Sequence, residues 1–275
     1  MDTQTLKTFL LLARLRNFTK TAEQLYVAQS TVTNRIAELE AELGKALFIR
    51  DKRNVALTAE GLVFEKYAQR IISLEDCAFQ DINSIKRYSD TVHIGTTNTI
   101  YECHLYPQIR SWIENHPDSA LKVTIGHSTE LLQAIQDGIM DTVYCYTPLY
   151  KKGFSCEIFA VDELILVTRT FDNPYTEGIQ KNELAESRYL FCNFALQEVG
   201  SFIRELFPAH YSFQFEIDNS TKLIPYLLDL GGISFLPESL ALPYLTDGSL
   251  AKISLLDFEA PKINCYKIEK MQTAL

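Results

Sequence analysis

The spacing of apolar residues changes near residue 90, and this change constrains the fold of the 275-residue chain more than any other feature. Before it, apolar residues recur every three or four positions, which is the period of amphipathic helices. After it, short apolar runs typical of strands alternate with helical segments. That alternation predicts parallel sheets covered by helices. The sequence therefore predicts an α/β chain with a mainly helical head and an α/β body.

Three short helices are predicted in the head. Apolar residues over 6–13 indicate the first, and Thr19 is the expected N-cap of the second. The third runs from about Gln29 to Leu43, with Gly44 at its end. Its apolar stripe consists of Val32, Ile36, Leu39 and Leu43.

The second and third helices, joined by a tight turn, form the pattern of a helix-turn-helix. The third helix is polar at its start, and such side chains can pair with base edges or phosphates. An ordinary solvated helix face would look the same, so the pattern leaves both interpretations open. The candidate DNA-contacting residues here are Thr19, Gln29, Ser30, Thr31, Thr33, Asn34 and Arg35.

The segment that follows favours DNA binding. Two short apolar runs, 48–50 and 55–57, flank a basic turn and predict a β-wing. Arg50, Lys52 and Arg53 are its candidate phosphate contacts. The net charge is +3 over residues 1–57 and −12 over the rest, so only the head suits a polyanion.

Residues 18–61 resemble the N-terminal signature of LysR-type transcriptional regulators. The similarity starts with the run from Phe18 to Ser30 and continues through Leu43-Gly44, Leu57-Thr58 and Gly61. It implies a winged helix-turn-helix DNA-binding domain over 1–57. The implied partners are double-stranded DNA carrying an interrupted inverted repeat, and RNA polymerase. Ala28 departs from the family pattern, which often has a capping Ser there.

Residues 58–89 are predicted to form one long helix. Its apolar row has spacings of three and four and no core of its own to cover, so it favours pairing with a second helix. Packing against its own body is the alternative. The family resemblance implies a dimerising linker helix and a homotetramer. The row consists of Tyr67, Ile71, Leu74, Ala78, Ile82 and Ile85.

In the body, strands are predicted at 92–95, 122–125, 143–146 and 163–167, with helices at 106–114 and 129–136. Ligands of parallel sheets bind at the carboxyl ends of strands, near helix N-termini. Three hydroxyl- or amide-rich turns occupy such ends: 96–99, 127–129 and 218–221. For any one of them, a simple helix cap is the alternative.

The body also resembles the family's effector-binding domain, which is similar to periplasmic binding proteins. Thr97 and Ser128 match two cleft hydroxyl positions, and 232–237 matches a Gly-Ile-x-x-Leu-Pro strand. The resemblance implies a domain over 90–275, with lobe I at about 90–168 and 243–275 and lobe II at about 169–242. A small-molecule effector would bind between the lobes. The hydroxyl-rich helix starts favour an oxyanion or a carboxylate, and a neutral polar metabolite would also fit. The candidate effector contacts are Thr97, Asn98, Thr99, Ser128, Asn193 and Gly232.

Other functions find little support in the sequence. It contains no HExxH, GxSxG, P-loop or GxGxxG motif, so no enzyme is predicted. The six cysteines form no CxxC, and we expect no metal site and no cofactor. No uncharged stretch exceeds 11 residues and no signal peptide is evident, so a cytoplasmic protein is expected. Two alternatives remain: a cysteine-based redox regulator of this architecture, and a cytoplasmic solute-binding module without a role in DNA regulation.

Overall fold

The computed structural model contains two compact units, Met1–Arg87 and Tyr88–Leu275. Each unit buries apolar clusters of its own. No helix in the described part of the chain is long and apolar enough to cross a membrane. The structure describes residues 1–50, 55–84, 87–193 and 199–271.

The first unit has the predicted order of helices and wing strands. The third helix has the predicted bounds, and the two wing strands pair antiparallel, with Phe48 opposite Leu57. The long helix is shorter than predicted, because Arg87 and Tyr88 are not helical. The elements are α1 (Thr3–Leu15), α2 (Phe18–Leu25), α3 (Gln29–Leu43), β1 (Phe48–Arg50), β2 (Val55–Leu57) and α4 (Ala59–Ser84).

The N-cap of α2 is Asn17, so the prediction of Thr19 as its cap is wrong. The Asn17 side chain accepts a hydrogen bond of 3.0 Å from the backbone N–H of Lys20. Thr19 therefore lies inside the first turn of α2. Both residue types suit an N-cap, and the one in extended backbone geometry two positions earlier takes the role.

Helix α4 begins as part of the head rather than after it. Ala68 is fully buried in the head's core, where Phe64 and Ile72 pack beside it. Gly61 lies against the carbonyl oxygen of Leu47, where a β-carbon would overlap. The predicted division at residue 58 is therefore not a structural break, because the first turns of α4 cover the core.

The carboxylate of Glu40 joins α3 to the start of the wing. Its Oε1 accepts hydrogen bonds from the backbone N–H groups of Leu47, at 2.8 Å, and Phe48, at 3.1 Å. Both of these residues are buried, so their N–H groups have little access to water. This contact sets where the wing leaves the helical core.

The second unit alternates strands and helices, as predicted. Its first part contains β3 (Asp90–Thr96), α5 (Asn98–Ile100), a π-helical turn (Tyr101–Leu105), α6 (Tyr106–Asn115), β4 (Ser119–Ile125), α7 (Ser128–Gln136), β5 (Thr142–Cys145) and β6 (Phe154–Arg169). It continues with a 3-10 helix (Lys181–Glu186), β7 (Phe191–Cys192), α8 (Val199–Glu205), β8 (Glu216–Ile217), α9 (Ser220–Leu230), β9 (Ile233–Pro237), α10 (Glu238–Thr246), β10 (Leu250–Lys252) and β11 (Lys262–Lys270).

One curled sheet with the order β10-β6-β11-β5-β3-β4 forms the frame of this unit. Strand β3 is parallel to β4 and β5, while β11 runs antiparallel to β5 and β6. Strand β6 serves both lobes: Phe154 to Glu163 pair with β11, and Leu164 to Thr168 pair with β9. The sheet therefore passes from one lobe to the other within a single strand.

The strand pairing moves the expected lobe boundaries. Strand β10 pairs with residues 167–169 of β6, and Leu250 packs with Leu240 and Ala241 in the second lobe's core. Residues 243–252 therefore belong to lobe II, not to lobe I as predicted. The first crossing between the lobes falls near residue 164 instead of 169, because β6 changes its pairing partner from β11 to β9 at that point.

We expect Glu40→Ala to lower the free energy of unfolding by about 1–3 kcal/mol, since two buried N–H groups lose a charged acceptor. Thermal and denaturant unfolding of the full chain would measure this change. Glu38→Ala, at an exposed position of the same helix, is the matched control and should be nearly neutral. Equal effects of the two variants would contradict this role for Glu40.

Candidate nucleic-acid interface and ligand cleft

The first turn of α3 presents its polar side to solvent. Val32 and Ile36 are fully buried against the head's core, whereas Gln29, Ser30 and Asn34 are exposed. Thr31 and Thr33 are half-buried at the edges of this polar face. The helix therefore exposes the side-chain types that can reach base edges in a major groove.

Thr19 orients the first residue of this helix. Its hydroxyl donates to Oε1 of Gln29 across 3.2 Å, which links α2 to the start of α3. The hydroxyl of Thr33 donates to the Gln29 carbonyl oxygen at 3.0 Å. The Gln29 amide is thereby held on the exposed side of α3 with its NH₂ group available for a new acceptor.

Arg35 contacts α1 instead of facing solvent with the other candidates. Its Nη1 donates to the hydroxyl of Thr8 at 3.0 Å, and Thr8 in turn donates to the carbonyl of Gln4. Thr8 is fully buried, so the guanidinium closes a polar contact between two helices. This position differs from the base-contacting role expected of Arg35, because the residue lies beside the buried stripe containing Ile36.

The basic tip of the predicted wing, with Lys52 and Arg53, lies outside the described residues. Arg50 belongs to β1, but its side chain is likewise outside what the structure describes. The β1–β2 pairing is described on both sides of the tip. Their role as phosphate contacts thus stays a prediction from the sequence.

In the second unit, two of the polar turns identified in the sequence meet through direct hydrogen bonds. The Asn98 Nδ2 donates to the hydroxyl of Thr221 at 2.8 Å, and the hydroxyls of Thr99 and Ser220 lie 2.6 Å apart. These bonds join the start of α5, in lobe I, to the start of α9, in lobe II. We call this contact the lobe junction.

The turn over 127–129, in lobe I, approaches the turn over 218–221, in lobe II. The Nε2 of His127, the residue that caps α7, lies 3.5 Å from Oδ2 of Asp218. Both side chains are largely exposed, so this pair contributes little to stability. It nevertheless places the N-termini of α7 and α9 at the same edge of the domain.

Thr97 differs from its neighbours in having a buried hydroxyl without a partner among the described residues. Its side chain is 6% exposed, and its Oγ1 accepts and donates no hydrogen bond there. The backbone N–H of Thr97 donates to the Tyr144 carbonyl at 3.2 Å. Thr97 precedes α5 but makes no side-chain cap, so capping does not explain the hydroxyl.

The other two polar candidates, Ser128 and Asn193, lie at the start of a helix and just after the end of a strand. Ser128 begins α7, half-buried, and its hydroxyl contacts the thiol of Cys145. Asn193 is half-buried beyond β7, where its N–H donates to the Ile217 carbonyl at 2.8 Å. The residues directly after Asn193, 194–198, lie outside the described part of the chain.

The structure places Gly232 at the end of lobe II opposite the lobe junction, which corrects its assignment as an effector contact. It follows the C-terminus of α9, whose 11 residues span about 15 Å from Ser220. Gly232 has a φ of +102°, and a β-carbon there would lie 2.5 Å from the Arg188 carbonyl oxygen. Glycine is therefore required at position 232, because the backbone conformation and the close packing leave no room for a β-carbon.

The turn over 218–221 is recognisable in the sequence, but its residues are not among the candidate effector contacts. The structure brings Asn219, Ser220 and Thr221 into the lobe junction, with Asn219 also capping α9 through its side chain. Their hydroxyl and amide groups were the available signal. Their partners in 98–99, more than a hundred residues earlier, were not visible from spacing.

Buried thiols weaken the redox alternative. Burial raises the pKa of Cys103 and of Cys145 to about 11, and raises that of Cys265 further above its usual range. At neutral pH these groups stay protonated, whereas reactive cysteines act as thiolates. In the free protein, none of these three thiols is therefore in the reactive thiolate form.

Comparison with known proteins agrees with both halves of this architecture. Residues 3–62 match the family model described as bacterial regulatory helix-turn-helix protein, lysR family, and residues 86–267 match the LysR substrate binding domain. The chain belongs to the LysR family. It is a DNA-binding transcriptional regulator with an effector-binding domain.

Individual LysR-family relatives match either nearly all of the chain or about half of it. The HTH-type transcriptional regulator CitR of Bacillus subtilis is 26% identical over 98% of this chain and 93% of its own length. The uncharacterized regulator YusT of the same organism is 38% identical, but the match covers 54% of this chain and 52% of YusT. The crystal structure of CbnR, a LysR family transcriptional regulator, shares the fold with a TM-score of 0.70 at 18% identity, covering 98% of this chain and 93% of CbnR.

The pair Thr97 and Thr99 offers a matched test of the site. Thr99→Val removes a hydroxyl that is paired with Ser220, and should lower the free energy of unfolding by about 1–3 kcal/mol. Thr97→Val removes a hydroxyl with no described partner, so stability should be unchanged or slightly higher.

Thermal unfolding of the full-length variants measures both effects. A loss of stability in Thr97→Val as large as that in Thr99→Val would show that the Thr97 hydroxyl has a structural partner, and would remove the argument for a ligand there.

Proposed function

We propose that this LysR-type regulator acts by binding alone, without catalysis, and that a small-molecule effector at the lobe junction controls it. The supporting observation is the buried, unpartnered hydroxyl of Thr97 beside hydrogen bonds that join the two lobes. An effector that hydrogen-bonds to Thr97 while the junction is closed binds that state more tightly. Such differential affinity shifts the population towards closure.

The chemistry of the junction favours an effector with oxygen acceptors. The N-termini of α7 and α9 point positive ends of their helix dipoles towards one edge, where an anion is stabilised. Ser128 and Thr97 add hydroxyl groups that can bind the effector. Asn98 and Thr99 form their hydrogen bonds to α9 when the lobes are closed. Asn193 is a further candidate contact at this edge.

On DNA, the proposed base contacts are Gln29, Ser30, Thr33 and Asn34 on the exposed start of α3. Thr19 orients Gln29, and Thr31 lies at the edge of the same face. Arg50, Lys52 and Arg53 supply phosphate contacts from the wing. Arg35 acts through α1, as a positioning residue, instead of reading a base.

We further propose that α4 pairs with α4 of a second copy, which sets two heads on an interrupted inverted repeat. The apolar row is open to solvent in the single chain: Tyr67 is 55%, Leu74 42% and Ile82 62% exposed. Dimers would associate into a tetramer that contacts RNA polymerase. Since its partner is DNA, the place of action is the cytoplasm.

Substitutions in the head should separate base contacts from phosphate contacts. Gln29→Ala should reduce discrimination between operator variants by about 1–3 kcal/mol, because one bidentate contact is lost. Lys52→Ala should weaken binding to every sequence alike and flatten the dependence on salt. Mobility-shift titrations with fragments of the protein's own promoter region, at several salt concentrations, measure both.

Two results would contradict this interface. The DNA-binding proposal fails if no fragment is retarded at low salt. The assignment of α3 as the recognition helix fails if both variants lose affinity equally for all sequences.

The dimer is tested by a charge in the apolar row. Leu74→Glu buries a carboxylate if the row is an interface, so light scattering should report a lower mass with an unchanged circular dichroism spectrum. Gln69→Glu adds the same charge to an exposed position on the other side of α4, and should leave the mass unchanged. An unchanged mass for Leu74→Glu would show that this row does not hold the dimer.

A further inference from the structure

A compact group of three metal-ligating side chains lies in the effector-binding domain. His104 Nε2 is 2.8 Å from Asp162 Oδ2, and the Cys265 Sγ is 4.0 Å from the same oxygen. The three potential ligand atoms all lie within 4.8 Å of one another. Asp162 is 5% exposed, Cys265 is fully buried, and the His104 side chain is 20% exposed.

The positions of these residues follow from three different elements. Asp162 lies in β6, and Cys265 lies in the neighbouring strand β11, opposite Ala160. Residues two apart on paired strands are diagonal neighbours on one face of a sheet. His104 reaches the same place from the π-helical turn, a type of turn that is frequent at functional sites.

We propose that His104, Asp162 and Cys265 form a binding site for a divalent transition metal ion of the zinc class. A nitrogen, an oxygen and a sulfur ligand suit Zn²⁺, which accepts all three. Bonds of about 2.0–2.3 Å in a tetrahedron put ligand atoms about 3.3–3.6 Å apart. Small movements of the three side chains reach that geometry, and water at the half-exposed His104 side supplies a fourth ligand.

Binding of a metal cation would also compensate the negative charge of the buried Asp162 carboxylate. The Asp162 carboxylate is buried beside His104 and Cys265, and a buried charge needs strong compensation. On binding, the Cys265 thiol loses its proton to solvent and coordinates as thiolate, while neutral His104 coordinates through Nε2. No electron transfer is involved.

The proposed metal site is connected to the lobe junction through the chain itself. The π-helical turn continues directly from α5, which carries Asn98 and Thr99, and Asp162 lies two residues before β6 enters lobe II. A bound ion thus holds the start of the junction against β6, which crosses between the lobes, and against its neighbour β11. It constitutes an input separate from the organic effector.

The test uses the full-length protein, freed of metal with a chelator and titrated with Zn²⁺ and with Co²⁺. We expect one tightly bound Zn²⁺ per chain and, with Co²⁺, a thiolate-to-metal charge-transfer band. Cys265→Ala should abolish that band. The matched control Cys192→Ala leaves the same small cavity at an equally buried cysteine in another core cluster, and should retain it.

His104→Gln provides a second test at a half-exposed position, should Cys265→Ala fail to fold. Loss of a ligand should weaken Zn²⁺ binding by more than the roughly 10–100-fold typical of an outer-shell partner. The proposal is overturned if no ion is retained at micromolar concentration. It is equally overturned if Co²⁺ binds without a thiolate band, or if His104→Gln or Cys265→Ala binds as Cys192→Ala does.

Discussion

The continuous strand β6 is the constraint on which the effector-binding domain depends. Its first ten residues pair with β11 in lobe I, and the following residues pair with β9 and β10 in lobe II. Backbone hydrogen bonds on both sides of the crossing tie each half of β6 to its own lobe, so this strand joins the two lobes near Glu163 and Leu164. The lobe junction adds a second connection between the lobes, through the side chains of residues 98–99 and 220–221.

At the lobe junction, some polar side chains have hydrogen-bond partners, and one buried hydroxyl has none among the described residues. The proposed switching depends on this contrast. Asn98 and Thr99 already have partners in α9, so they join the two lobes without a ligand. Thr97, one residue earlier, buries a hydroxyl that gains nothing from the protein itself. An unpaired buried hydroxyl costs free energy, and a ligand that pairs with it recovers that cost only while bound. In the mechanism proposed above, the effector acts on an arrangement that is already formed but incompletely stabilised.

In the DNA-binding head, too, some side chains of α3 bind other parts of the protein, whereas others are exposed to solvent. Glu40 and Arg35 both lie on α3, yet their side chains bind the wing backbone and α1. Gln29, Ser30 and Asn34 remain exposed, and Gln29 accepts one hydrogen bond, through its Oε1, from Thr19. The start of α3 is thereby held firmly by residues of its own helix while its polar face stays free for a partner. Helix α4 likewise uses Ala68 for the core and leaves a separate apolar row outside.

The sequence by itself determined the features that depend on neighbours along the chain: the bounds of α3, the wing pairing, the main strands and the family. Apolar period and turn chemistry act over a few residues, so they can be recognised without coordinates. Even there, Asn17 rather than Thr19 caps α2, because two suitable residues competed for one geometry. Only the tertiary structure decided the partners of Arg35, the distance of Gly232 from the junction, and the meeting of residues 98–99 with 220–221. The same holds for His104, Asp162 and Cys265, which no spacing rule connects. Such contacts depend on how β6 carries the chain between lobes, and that path is a property of the packed sheet rather than of any local segment.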